Sequence, residues 1–536
     1  MIRFRSQSEH RDTRRGFVLL LVLVVVMLLS FAVYSFARLT VSEYAATAVS
    51  LKNLQKRALA DSGIELASLW IHQQKSGAGE VSSEAFLMPK PVSLPGGEAG
   101  SIAVIRELPD SSVPLRHGLN DESAKLNLNT LQLDQIHREE SRNRLLAIPG
   151  LTIQIADSVM DWMDSDDEVS GLGAETSWYT AQSPPRRPRQ GPLRDLSELL
   201  LIRGMTKDLF YGEDRNANGR LDPQENDGDR SLPRDNADGK LQAGLRDYLT
   251  VLSCEGCVMS DGRRKININQ PVLAQLYDQV HAVLGAEAAR YIVAWRMRGA
   301  TYLDEPRPDE GQDAEQRRLE RLESVQKRLE AQLGASDAPG QSLSRNEIRR
   351  GGIVLSDGPL KFRSVLDLFG GQVQISVDNR DTLLQSPWPA DPATLRRVMP
   401  DLTTLLTTTE MSVLPGRINI NEAPLPVLMA VPGFSRTLAQ SIVRLQREIS
   451  VSRSDEFSTV AWLSGRGLMS VAELRAAGQW INTGGHVRGG IAVGQMKRSP
   501  SMSSVQFLLD CSGAQTRVLL MADLPMMPSV TSDSLR

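Results

Sequence analysis

The chain has 536 residues, 41% of them hydrophobic and 23% charged, which is typical of a folded protein with roughly two to four domains. Its 61 basic and 64 acidic residues give a net charge of −3, so no overall positive field marks a nucleic-acid partner or an anionic membrane surface. Three cysteines are too few for a disulfide scaffold.

An uncharged apolar run extends from Phe17 to Ala37 and is long enough to cross a bilayer as a helix. Five arginines and two acidic residues precede it, so the positive-inside rule places the N-terminus in the cytoplasm and the bulk of the chain outside. We expect no cleavage after the run, because it lacks the small-residue site that follows a secretory signal peptide.

The helical pattern continues beyond the apolar run. No glycine or proline occurs between Phe17 and Gly63, and apolar residues recur at steps of mostly three and four residues. This pattern predicts one helix of about 50 residues that runs from the bilayer into the outer domain.

The junction between the basic leader and the apolar helix reads Arg14-Arg15-Gly16-Phe17 and resembles that of type IV prepilins and pseudopilins. The resemblance implies that Gly16 ends a cleaved leader and that Phe17 becomes the N-methylated first residue. A plain signal anchor is the alternative. Most of the family have a glutamate where this chain has Leu21, and that glutamate pairs with the N-terminal ammonium of the next subunit. Leu21 therefore suggests a subunit at a fibre tip, with no neighbour ahead of it.

Three similar segments recur in the outer region at spacings of about 140 to 150 residues: LNLNTLQ from Leu126, ININQPV from Ile266 and ININEAP from Ile418. Each precedes a pattern that predicts two helices joined by a tight turn. The spacing is far above solenoid periods, so we interpret the segments as the starts of repeated subdomains. Their asparagines are expected to satisfy backbone groups of turns rather than to bind a ligand.

The two-helix pattern resembles a helix-hairpin-helix, which keeps an anchored DNA-binding protein as an alternative function. DNA-binding hairpins carry a P-G-x-G turn whose backbone amides approach a phosphate, but Thr152 and Ser435 replace the second glycine here. The first hairpin also runs into the acidic cluster at 161–168, which would repel phosphate, whereas the third carries Arg436 and Arg444. A compact packing unit is the other interpretation.

Residues 214–225 read DRNANGRLDPQE and fill every position of a calcium-loop pattern. Pro223 within the loop and the lack of an exiting helix argue against the paired helices of a calcium sensor. A second acidic set, and the cluster at 161–168, could add oxygen ligands; a solvated acidic surface is the alternative for each. The predicted ligands are Asp214, Asn216, Asn218, the carbonyl of Arg220, Asp222 and Glu225, and the second set is Asp235, Asn236 and Asp238.

Cys254 and Cys257 form a C-x-x-C pair. No second pair completes a zinc site and no thioredoxin-type pattern surrounds them, so a local disulfide and two inert thiols remain the main interpretations, with a metal or redox role as the third. Charged residues between 305 and 350 predict an exposed helix in an insertion or a short coiled coil. The last fifty residues look like antiparallel strands.

The junction at Gly16, Leu21, the N-x-N segments, DWMDSDDE and EDRNANGRLDPQENDGD together resemble the general secretion pathway protein K family, the large minor pseudopilins of type II secretion systems. The resemblance covers residues 14–300 well. It implies a prepilin-peptidase substrate in the inner membrane, its bulk in the periplasm, calcium in a helical domain, and a pseudopilus-tip complex with the I- and J-type minor pseudopilins. The third N-x-N module has no secure counterpart in the family.

The expected fold class is α+β, with a long pilin-type spine helix, an antiparallel-sheet pilin-like head and a large inserted helical domain containing helix-hairpin-helix-like repeats. The expected parts are a leader (1–16), a transmembrane and spine helix (17–73), the first part of the head (74–124), three helical modules (125–264, with the calcium loop; 265–370, with the insertion; 371–485) and the last head strands (486–536).

The predicted function is a minor pseudopilin that caps the pseudopilus tip and helps to start its assembly for protein export across the outer membrane. We predict no catalysis, because no Ser/His/Asp set, phosphate loop or paired-carboxylate site stands out and the six histidines are scattered. The alternatives are the DNA-binding protein and an anchored extracytoplasmic calcium-binding protein.

Overall fold

The structure, a computed structural model, describes residues 14–75, 92–94, 98–107, 115–214, 221–230, 235–259, 261–302, 348–452, 455–497, 501–524 and 527–528. The described α-helices are Arg14–Lys75, Arg138–Leu146, Ile153–Met163, Thr176–Thr180, Lys207–Tyr211, Leu245–Tyr248, Leu273–Arg298, Pro392–Leu405, Leu425–Met429, Arg436–Ser452, Trp462–Gly465 and Val471–Ala477. Short 3-10 helices are Glu122–Ala124, Leu128–Thr130, Leu196–Leu201, Pro223–Glu225, Val365–Leu368 and Asp455–Ser458.

The described strands fall into one larger sheet and several short pairs. The larger sheet contains Val92–Ser93, Ala99–Glu107, Leu115–His117, Asn120–Asp121, Val487–Met496, Ser501–Asp510, Arg517–Asp523 and Met527–Pro528. The others are Leu126–Asn127, Leu249–Thr250, Cys254–Gly256, Ile266–Asn267, Thr301–Tyr302, Arg349–Arg350, Ile353–Val354, Gly371–Val377, Arg380–Gln385, Leu406–Thr407, Val413–Pro415, Ile418–Asn419 and Ile481–Asn482.

The first helix, Arg14–Lys75, is continuous over 62 residues, and it confirms the predicted spine. Its large apolar side chains are exposed from Phe17 to Leu54. It is the one helix among the described residues that is both long enough and apolar enough to cross a membrane. The spine therefore has two parts: an apolar first half that no described part of the chain covers, and a second half that packs on the sheet.

That sheet is antiparallel and is built from both ends of the chain, because Val487–Met496 lies between Ala99–Glu107 and Ser501–Asp510. The spine packs on one face of it through Ala60, Ile64 and other buried residues. The approach is close: a Cβ on Gly494 would lie only 2.0 Å from the Lys56 carbonyl oxygen. Everything between the two halves of the sheet is an insertion, which confirms the α+β head with an inserted helical region.

The inserted region repeats one arrangement three times. Each N-x-N segment forms a two-residue strand that pairs in parallel with a strand far along the chain: Leu126–Asn127 with Leu249–Thr250, Ile266–Asn267 with Leu406–Thr407, and Ile418–Asn419 with Ile481–Asn482. We define modules 1, 2 and 3 by these pairs. Defined in this way, module 2 extends past the predicted boundary at residues 370 and 371, because the hairpin at 371–385 and the helix Pro392–Leu405 come before the strand that closes it.

The second asparagine of each N-x-N segment holds its module closed. Asn129 donates to the carbonyls of Leu193 and Val251. The equivalent Asn269 donates to Phe362 and Thr408, and Asn421 donates to Phe457 and Thr483. The first asparagine in each case accepts from the amide of the second. The predicted structural role of these asparagines is confirmed.

Each module also joins two helices through a glycine with positive φ: Gly150 at 83°, Gly285 at 86° and Gly433 at 83°. L side chains are strained in this region, so glycine permits the sharp turn that the sequence pattern predicts. Thr152 and Ser435, which replace the second glycine of a DNA-binding hairpin, accept backbone amides of the helix that follows. The helix–turn–helix geometry is present, but a helix-hairpin-helix identity is not confirmed. The segment 303–347, with most of the predicted insertion, lies outside the described residues.

Candidate metal-binding loop and spine

The residues predicted for leader cleavage lie at the start of the spine. Gly16 and Phe17 are in the first turns of Arg14–Lys75, and the Phe17 side chain is 69% exposed. Leu21 is also exposed, so its position offers an apolar contact to a neighbour and no charge. Cleavage after Gly16 and methylation of Phe17 stay predictions.

The structure describes both ends of the predicted calcium loop. Asp214 and Glu225 are buried, at 5% and 4% exposure. Asp214 faces the Arg246 guanidinium at 3.5 Å, and Glu225 accepts the Asp222 amide at 3.1 Å. Asn216, Asn218 and Arg220 lie outside the described residues.

Buried Glu213 is a candidate ligand that the sequence pattern misses. Its carboxylate accepts the Gln242 amide at 2.9 Å. Burial raises its pKa, and the charges of Asp235 and Asp238 raise it further, while the amides of Gln242 and Asn236 oppose this. Glu213 therefore lies between the predicted loop and the second acidic set. It stands one position before the calcium pattern, so no motif identifies it.

The second acidic set is present as a chain of turns. Asp235 accepts the amides of Asp227, Gly228 and Ala237, and thereby ties two parts of the connection together. Asn236 accepts the Asp238 amide, and Asp238 accepts the Lys240 amide. Because these side-chain oxygens accept backbone amides, the second acidic set holds the conformation of this connection. It also brings the charges of Asp235 and Asp238 close to Glu213, which directly precedes Asp214. Carboxylate oxygens of this kind suit a hard cation such as Ca²⁺.

Cys254 and Cys257, for which a local disulfide was one of the interpretations, are free thiols in this structure. Cys257 is buried and accepts the Thr407 hydroxyl at 3.4 Å. Burial, together with the charges of Asp510 and Glu255, raises the pKa of Cys254 to about 12. A thiol with so high a pKa is a poor nucleophile and metal ligand at neutral pH, which favours an inert role over redox or metal chemistry.

Known proteins resemble this chain over its central part. A family model described as type II secretion system (T2SS), protein K, matches residues 124–211. Type II secretion system protein K of Klebsiella pneumoniae is 27% identical over 215 residues, which are 38% of this chain and 61% of that protein. The protein of the same name in Pseudomonas aeruginosa is 32% identical over 102 residues, which are 18% and 31% of the two chains.

A solved structure of the GspK-GspI-GspJ complex from enterotoxigenic Escherichia coli aligns with 90% of this chain and 99% of its own chain, at 12% identity and a TM-score of 0.35. The match to the Klebsiella protein spans about three fifths of that relative's length. The sequence matches confirm the resemblance to protein K.

Proposed function

We infer that this chain, which carries a type II secretion system protein K domain at residues 124–211, works as a minor pseudopilin of such a system. The observation that carries the inference is the spine, which leaves its apolar half exposed from Phe17 to Leu54 and buries its second half on an antiparallel sheet. A monomer rarely exposes so large an apolar surface unless a membrane or another protein covers it.

The exposed half of the spine has two proposed environments in succession. Before assembly it spans the inner membrane, with the N-terminus in the cytoplasm and the sheet and modules in the periplasm. After assembly it packs against the spines of two other minor pseudopilins, of the I and J types. Because the inserted modules make this head bulky and Leu21 provides no carboxylate for a subunit ahead of it, the chain caps the pseudopilus tip. The capped complex starts a fibre that drives export across the outer membrane.

Processing at Gly16 tests the pseudopilin proposal. With prepilin peptidase present, the wild-type chain should lose its 16-residue leader, and Gly16→Ala should abolish that loss because the peptidase accepts a small flexible residue before Phe17. The measurement is the shift in gel mobility, with the new N-terminus and its methylation read by mass spectrometry. Thr13→Ala is the control and should be processed normally. Equal processing of Gly16→Ala and wild type would contradict the proposal.

We also propose that the loop 214–225 binds Ca²⁺ as a structural ion in the periplasm. What supports it is the full ligand pattern together with the burial of Asp214 and Glu225 at the two ends of the loop. The ion would pin a long connection that has little secondary structure. Because it binds only the folded chain, saturating Ca²⁺ at 100 times Kd would stabilise the fold by about 2.7 kcal/mol.

Removing both end carboxylates tests this calcium proposal. Asp214→Asn combined with Glu225→Gln should lower Tm in millimolar Ca²⁺ and change it much less in EDTA, because only the first condition populates the ion. The matched control is Asp229→Asn, an exposed acid further along the same connection, which should keep the calcium response. Equal losses of Tm in calcium and in EDTA would show that the loop works without an ion.

A further inference from the structure

A second group of acidic residues, in module 1, has no counterpart in the other modules. The helices that follow Gly150, Gly285 and Gly433 occupy the same place in each repeat. When the three helices are aligned on Ala156, Ala289 and Ala439, module 2 has Ala294 and module 3 has Arg444 where module 1 has Asp161, and Asp164 corresponds likewise to Met297 and Arg447. The repeated fold forms without these carboxylates, so their presence in module 1 calls for a reason other than helix packing.

The carboxylates of module 1 are buried and close together. Asp161 is completely buried, and Asp164 and Glu175 are 7% and 1% exposed. One ligand oxygen from each of the three lies within 4.8 Å of the others. The loop after the helix folds back to bring Glu175 there, since Asp161 accepts the Ser170 amide at 3.2 Å. Ligands on opposite sides of a Ca²⁺ ion, at about 2.3–2.6 Å each, are separated by a similar distance.

Two arginines pair with this group and do not balance it. Arg138 donates to both Asp161 and Asp164, and Arg142 donates to Asp157 at 2.6 Å. Glu175 is different. Within the described part of the chain, neither of its carboxylate oxygens has a hydrogen-bond donor, and one oxygen of Asp164 has none either. A buried carboxylate without donors or a counter-charge is costly, so a binding partner is expected at this point.

Burial and the neighbouring charges of Asp164 and Asp161 raise the pKa of Glu175 to about 8. A bound divalent cation would favour the ionised form of this carboxyl group and so oppose the increase in pKa.

We propose that Asp161, Asp164 and Glu175 bind one divalent cation of the calcium class, at a site whose ligands are distinct from those of the loop 214–225. The cation takes the free oxygens of Asp164 and Glu175, while Arg138 keeps its hold on the opposite side of the pair. It thereby fixes the loop between residues 164 and 175 on the helix of module 1. This proposal does not depend on the pseudopilin role.

The test measures ion binding when the first site is disabled. Full-length protein in detergent, carrying Asp214→Asn and Glu225→Gln, is stripped with EDTA and titrated with Ca²⁺ by calorimetry. It should still bind one ion per chain, and adding Glu175→Gln should weaken that binding at least tenfold. Terbium can replace calcium as a luminescent probe. Trp162 directly follows Asp161 near the end of the helix Ile153–Met163 and can sensitise terbium emission.

Two controls separate ligation from folding. Glu168→Gln removes an exposed acid of the same loop and should leave the affinity unchanged. Melting in EDTA should give Glu175→Gln a Tm no lower than that of its parent, because the amide has nearly the shape of the carboxyl group and buries no charge. Absence of the remaining ion, or equal affinity with and without Glu175→Gln, would overturn the proposal.

Discussion

Replacing Asp121 with alanine is expected to lower the free energy of unfolding by about 3–5 kcal/mol and to loosen the helical modules from the sheet. Asp121 is 1% exposed and lies at the end of the first half of the sheet. Its carboxylate accepts the amides of Ser123 at 2.8 Å and Gly485 at 2.6 Å. It also accepts the Asn419 side chain at 2.9 Å and faces the Arg488 guanidinium at 3.3 Å.

The Asp121 carboxylate therefore joins the sheet to Asn419 of module 3 and to the backbone at Gly485, which connects module 3 to the next sheet strand. The alanine variant leaves several donors without their acceptor and leaves Arg488 with the more distant Glu422 carboxylate at 3.8 Å, and such losses are larger than the value of the bonds themselves. Denaturant melts give the stability change, and hydrogen exchange should show faster exchange at the Gly485 and Ser123 amides.

The matched control for this junction is Asp510→Ala. Asp510 is on the same sheet and accepts one amide among the described residues, that of Ser512 at 2.8 Å. We expect its removal to cost about 0.5–1.5 kcal/mol. If the two variants lose similar stability and show similar exchange, the junction does not hold the modules to the head.

The second large effect is expected for Arg296→Met, which should lower the free energy of unfolding of module 2 by about 3–5 kcal/mol. Arg296 is 2% exposed at the end of the helix Leu273–Arg298. It donates to the carbonyls of Ile268 at 2.8 Å, Gln270 at 3.0 Å and Gly358 at 2.8 Å, and also to Leu360. Methionine preserves the length of the side chain but leaves these buried acceptors unsatisfied.

Arg298→Met is the control, since Arg298 is exposed on the last turn of the same helix. Limited proteolysis and calorimetry compare the two variants. The expected result is early cleavage and a lower Tm only for Arg296→Met. Module 3 has Gln446 at the corresponding position. Its side-chain amide donates to the carbonyls of Ile420 and Ala423, so an uncharged side chain makes the equivalent contacts there. Similar melting of the two arginine variants would contradict this role.

Local patterns in the sequence predicted the parts of the fold that depend on neighbouring residues. The spine follows from apolar spacing without a helix breaker after Phe17, and the turn at Gly150 follows from its P-G dipeptide. The three N-x-N segments predicted a repeat because their letters recur. The pairing that closes module 2 is not visible in the sequence, because Leu406–Thr407 is a two-residue strand with no alternating pattern and its partner lies far back in the chain.

The acidic groups show the same limit. The loop 214–225 is recognisable because all its ligands fall within twelve positions of one motif. Glu213 and Glu175 carry no such signal, because their importance comes from burial and from neighbours that only the folded chain provides. A sequence pattern identifies ligands on one turn of the chain, while a site assembled from a helix and a returning loop becomes evident in three dimensions.

We propose that this chain joins two other minor pseudopilins through its spine and head. The most direct measurement is co-purification of the tagged full-length chain in detergent with the I- and J-type pseudopilins of its own secretion system, with the mass of the complex determined by light scattering. We expect a stable complex with one copy of each protein, and its loss when charged residues replace Leu51 and Leu54 on the exposed part of the spine. Recovery of the tagged chain alone, or of a polymer of its own copies, would contradict it.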